Sequence, residues 1–257
     1  MLFSKLSSLW LALAFTAITF TSCDKDDTTP ADSVGGVDIE FDNVVGNSPL
    51  ALNTGNYTTA AGDQFTVTTF NYYISNIRLT KADGTAYVQP DSYYLVSQAD
   101  DASKHLSLKD VPVGDYTGIT FTIGVDSTRN VSGAQTGALD PSNNMFWTWN
   151  SGYIFMKLEG TSPQASRGGL LFHIGGFQHP YNTIRTISPS FNGTTLMVRT
   201  DHSPEIHMQA DVLKMFASPN QIRFANLSNS MGGATSVQVA DNYSKSGMFT
   251  VAHIHAN

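Results

Sequence analysis

The chain has 257 residues, of which 41% are hydrophobic and 14% charged, with a net charge of −7 and a single cysteine. The acidic balance and the lack of a basic stripe argue against a nucleic-acid partner, whose phosphates demand clustered Lys and Arg. One cysteine rules out an intramolecular disulfide and a cysteine-based zinc cluster, and the length fits one large β domain or two small ones.

The chain opens "MLFSKLSSLWLALAFTAITFTSCDKDD". Lys5 supplies a short positive region, and Leu9 to Phe20 form an apolar run too short to hold a bilayer alone. Thr21 and Ser22 then precede Cys23. This resembles a bacterial lipoprotein signal, in which small residues precede a cysteine that is lipidated and becomes the new N-terminus. Phe20 is a loose fit to the usual box, which often has leucine there. Each buried lipid methylene contributes about 0.8 kcal/mol, and stable anchoring takes more than one acyl chain. The run "DKDD" after Cys23 resembles the export signal of surface lipoproteins in the Bacteroidetes. The expected layout is therefore a signal peptide over 1–22, a lipidated Cys23 with a polar tether to 36, and one β domain over 37–257. The location it implies is the cell envelope, on the outer membrane and held there by lipid alone.

From Val37 onward the pattern is β. "VDIEFDNV" alternates, with Val37, Ile39 and Phe41 on one face and Asp38, Glu40 and Asp42 on the other. "QFTVTTFNYYISNIRLT" is longer, and its apolar phase slips between Val67 and Phe70, as at a β-bulge or a bend. "ADGT" (82–85) reads as a hairpin turn before the strand "SYYLVS". "VPVGDY" (111–116) is a turn into "GITFTIGV", where Ile119, Phe121, Ile123 and Val125 share a face. Residues 128–143 read as a long polar loop, and such loops are often functional. Further strands are expected at 152–159, 169–175, 195–199, 205–210, 235–240 and 248–255, with a short helix at 211–216. Many short strands and no long amphipathic helix predict an all-β fold: a single antiparallel β-sandwich, immunoglobulin-like or a related Greek key.

Candidate chemistry rests on histidines and aromatics. In "MFTVAHIHAN" a strand puts Phe249, Val251, His253 and His255 on one face, where two imidazoles can converge on a metal ion. The alternative is an exposed chain end. His173, in the apolar run "LLFHIGG", reads as a hydrogen-bonded core residue or a ligand. His207 belongs with Glu205 and Gln209 on a surface face. His179 and His202 sit beside turns and His105 in a loop. No histidine has an HExxH spacing. Thioethers such as Met145 favour copper over Mg²⁺ or Ca²⁺, although methionine is also a routine core filler. No GxSxG elbow or free thiol offers a nucleophile, so no catalytic constellation is expected. Trp147 and Trp149, in "MFWTWNSGYIFMKLEG", are the only tryptophans beyond the leader. Side chains at i and i+2 of an extended segment point the same way, so they read as paired core anchors or as a stacking surface for a glycan or protein partner.

The segments "FNYYISNIRL", "VPVGDYTGITFTIGVDSTRN", "MFWTWNSGYIFMKLEG" and "FHIGG", in this order, resemble the MbnP-like family. These are secreted copper-binding β proteins associated with methanobactin operons, found also as lipoproteins. The resemblance spans most of residues 37–257. It implies that a tryptophan is oxidised to kynurenine by a partner di-haem peroxidase and then helps histidines bind copper, as Cu(I) or Cu(II). An indole N–H only donates and has no lone pair for a metal; the opened ring offers an aromatic amine that does. Carried over residue by residue, Trp147 and Trp149 fall in the aromatic motif and His173 in "FHIGG", with His253, His255 and then His207 as further ligands. Some histidine-near-tryptophan arrangements of the family are absent, since position 149 is Trp and no histidine lies within twenty residues of it. The exact ligand set stays open, as does the reading of a cell-surface glycan- or protein-binding module without metal.

Overall fold

The computed structural model describes residues 33–133, 135–147 and 152–255. Cys23, the 1–22 leader, residues 23–32 of the expected 23–36 tether and Trp149 lie outside them, while residues 34–36 are strand and not tether. The longer strands are β1 (Val34–Val45), β2 (Gln64–Lys81), β3 (Tyr93–Ser97), β4 (His105–Pro112), β5 (Gly114–Ile123), β6 (Gly152–Thr161), β7 (Gly169–Gly175), β8 (Glu205–Asp211) and β9 (Phe249–His255). Among the described residues two α-helices join them, α1 (Ser127–Val131) and α2 (Gly233–Lys245).

Among the described residues these strands and shorter ones form a five-stranded and an eleven-stranded sheet. The smaller runs β9–β8–β1–β4, antiparallel except for the parallel β1–β8 pair. β2 is the spine of the larger. Its residues 66–72 pair with β6, 71–75 with β3 and 74–81 with β5, while β7 pairs with the far side of β6. The main core draws Val37, Ile39 and Phe41 from β1 and Phe249 and Val251 from β9, packed with Phe70, Tyr72, Phe121 and Phe172 of the larger sheet. The molecule is thus a β-sandwich, as the alternation predicts.

β-branched and aromatic residues at every second position make β1 and β5 strands with one buried face. The phase slip in β2 is a bulge. Thr69 pairs with Glu159 but Val67 with Gly160, so Thr68 is the extra residue. Beyond the slip, Phe70 and Tyr72 face the main core and Tyr73 the opposite side, where a second cluster forms with Met145, Trp147, Tyr153 and Phe155. Val125 belongs to that second cluster and not with Ile119, Phe121 and Ile123. The cause is Gly124, at φ +116, which ends the alternation; a Cβ there would sit 2.7 Å from the Phe155 ring. His105 opens strand β4 and is not in a loop.

One expected strand is a helix. Residues 235–240 lie inside α2. Val237 and Val239 alternate like a strand, but the buried residues are Ser236, Val239, Ala240, Asn242 and Tyr243, at helical spacing. Small and polar residues make up much of that face, so hydropathy does not reveal it.

Candidate functional site

The outer face of the larger sheet carries the tryptophan stretch. Residues 137–147 approach it through two 3₁₀ turns and a two-residue strand, Phe146–Trp147, that pairs with Gly152 and Tyr153. Trp147 is 4% exposed. Its ring lies over Gly175, where a Cβ would stand 2.8 Å from the indole and 2.5 Å from the Tyr153 carbonyl oxygen. Glycine here admits the close approach of ring and backbone. Met145 is fully buried in the same cluster, beside Tyr73 and Tyr153.

His173 lies two residues before Gly175 on β7, on the same outer face. Leu170, Phe172 and Ile174 between them fill the main core. His173 Nε2 is 2.7 Å from Glu159 Oε1, and the two residues sit on the adjacent strands β7 and β6. A carboxylate only accepts, so Nε2 carries the proton and Nδ1 the lone pair. Nδ1 is buried and has no hydrogen-bond partner among the described residues. Burial holds the imidazole below its ordinary pKa of 6.5; the bond to Glu159 opposes this and the Lys157 charge adds to it. Lys157, directly across the strand pair, is itself pushed down by burial, and its Nζ donates to the Asn144 carbonyl. The result is a neutral, fixed imidazole with one nitrogen tied to a carboxylate and the other open.

At Trp147 and Gly175 lies a cavity of about 380 Å³, also lined by Phe177, His179, Tyr181 and Met231 among others. An imidazole and a thioether thus line the same cavity as the tryptophan. The sequence does not single out His179 or Met231 for this, because they come from turns distant in the chain.

His207, His253 and His255 gather on the outer face of the smaller sheet, while His202 pairs with Asp201 in a loop. His207 of β8 pairs with His253 of β9 and Glu40 of β1, and Glu205 pairs with His255. The expected single face for Phe249, Val251, His253 and His255 is broken by a bulge. Met208 pairs with Val251 and His207 with His253, leaving Ala252 extra. Phe249 and Val251 point into the core, while His253 and His255 turn outward beside His207. The His207 and His253 rings stack with centroids 4.2 Å apart. His207 Nε2 lies 2.6 Å from His255 Nε2. The structure therefore brings His207, His253 and His255 together, and it places His173 on the other sheet, apart from them.

A family model described as MbnP matches residues 34–236. The chain belongs to the MbnP family. Among solved structures, MbnP from Methylosinus trichosporium is similar at 14% identity, over 79% of this chain and 82% of that one, with a TM-score of 0.46. A search of curated proteins finds no match. The MbnP match takes in Trp147, His173, His179, His207 and Met231, and ends before His253 and His255.

Proposed function

We propose that this chain is an extracytoplasmic, lipid-anchored copper-binding protein that stores, scavenges or delivers the metal and catalyses nothing itself. Membership of a family linked to copper supports the metal. The observation that carries the site is His173. Its Nε2 is bonded to Glu159, its buried Nδ1 is open, and it shares a strand face with the glycine beneath Trp147. A ligating histidine commonly donates its second ring N–H to a carboxylate, which fixes the tautomer and strengthens the ligand. His173 and Glu159 have that arrangement. Imidazole nitrogen and thioether sulfur suit Cu(I), and His179 and Met231 stand on the wall of the cavity that Trp147 and Gly175 line.

In this reading a di-haem peroxidase oxidises one of the paired indoles, Trp147 or Trp149, to kynurenine. Ring opening replaces a donor-only N–H with an aromatic amine able to ligate. Cys23 carries the lipid that holds the protein to the outer membrane, facing the periplasm or the cell surface.

The test is Cu(I) competition against a chromophoric chelator, on protein made with and without a di-haem peroxidase. One tight equivalent is expected in the oxidised protein, and His173→Ala loses it. Undiminished copper binding by His173→Ala, or no uptake by oxidised wild type, overturns the assignment.

A further inference from the structure

We propose a second metal site, separate from the tryptophan site, in which His207, His253 and His255 bind a divalent first-row transition ion with Glu205 as neighbouring carboxylate. The three imidazoles can each offer a nitrogen such that all three atoms lie within 4.8 Å of one another. Glu205 Oε2 is 3.4 Å from His207 Nε2 and 3.3 Å from His255 Nε2. Ligands held about 2.0–2.1 Å from a tetrahedral zinc ion stand roughly 3.3 Å from one another, so these separations are already those of a coordination shell. The His207–His255 pair, at 2.6 Å, has to open by less than an ångström. His255 can make this shift, because it is half exposed and at the edge of the sheet.

The inner surroundings are arranged as for a ligand. His207 Nδ1 lies 3.2 Å from Glu40 Oε2 on the neighbouring strand. That carboxylate can accept a hydrogen bond from Nδ1–H, which leaves the Nε2 lone pair directed at His255 and Glu205. In the same cross-strand row His105 Nε2 stands 3.8 Å from Glu40 Oε1. Three imidazoles and a carboxylate make a borderline donor set, suited to Zn²⁺, Cu²⁺ or Ni²⁺ and poorly suited to Ca²⁺ or Mg²⁺. The bulge at Ala252 is what produces the cluster, since without it His253 and His255 would follow Val251 inward. Bulges commonly re-aim side chains at functional positions. The residues matched to the family end at 236, so two of the three imidazoles come from beyond them.

The experiment uses the full mature chain and Zn²⁺ as the probe, by isothermal titration calorimetry. One equivalent is expected for wild type and for His173→Ala. A His253→Ala/His255→Ala variant, altered only at exposed positions, is expected to lose at least 100-fold in affinity with an unchanged thermal midpoint. His207→Gln is expected to lose a similar factor. Wild-type affinity in both the double variant and His207→Gln, or no Zn²⁺ uptake by wild type, overturns the proposal. Because the His173→Ala control reports the tryptophan site, failure at one site is distinguishable from failure at the other.

Discussion

The tautomer of His173 decides what the outer face of the larger sheet can do. Glu159 fixes it, so Glu159→Gln is expected to weaken copper binding by about 10–100-fold while leaving the fold intact. Chelator competition measures the first effect and circular dichroism the second. The depressed pKa of His173 also sets a pH dependence for the metal-free chain. Between the ordinary value of 6.5 and the lower folded value, the unfolded chain binds the proton and the folded one does not. Stability is then full above pH 6.5 and falls as the pH drops through that window. His173→Gln is expected to flatten this part of a urea-denaturation profile taken against pH. Gly175 supports the neighbouring tryptophan by having no side chain. Gly175→Ala, with its Cβ 2.8 Å from the indole, is expected to cost about 1–3 kcal/mol by overpacking and to shift the tryptophan fluorescence.

Elements show how far the sequence could be read. Alternation placed β1 and β5 because Val37, Ile39 and Phe41, and Ile119, Phe121 and Ile123, give each an apolar buried stretch, and the slip between Val67 and Phe70 marked a real bulge in β2. The second bulge, at Ala252, left no such trace. Phe249, Val251, His253 and His255 keep a perfect two-residue period, and only pairing with β8 reveals that the last two turn outward. α2 was illegible for a different reason. Asn242, fully buried, donates to the carbonyls of Met215 and Asn220 and accepts from the Asn220 N–H, so tertiary hydrogen bonds pay for a polar face that hydropathy reads as solvent. Likewise, Asp63 reaches 160 residues along the chain. It is fully buried, accepts from Arg223 Nε and Nη2 and from the Phe224 N–H, and is held below its ordinary pKa of 3.8 chiefly by the Arg223 hydrogen bond. Asp63→Ala leaves the buried Phe224 N–H unpaired and is expected to lower stability by roughly 2–3 kcal/mol in urea denaturation. The stability contributed by the wild-type carboxylate is present above pH 3.8 and lost as the pH falls below it.

At the scale of the whole molecule, two histidine-bearing faces lie on opposite sides of one core. The tryptophan, His173 and Glu159 occupy the outer face of the larger sheet, and the His207 cluster that of the smaller one. The two share no side chain, so effects of substitutions on them are expected to add. A triple variant, His173→Ala with His253→Ala and His255→Ala, should show the summed losses of copper and zinc binding.

The central claim is that one of the two indoles, Trp147 or Trp149, is converted into part of a copper site that includes His173. Intact-mass spectrometry with metal analysis, on protein produced alongside a di-haem peroxidase, addresses it most directly. The expected result is a mass gain of two oxygen atoms less one carbon monoxide, mapped to the peptide holding Trp147 and Trp149, together with one copper that disappears in His173→Ala. An unmodified mass with no copper retained would contradict the account.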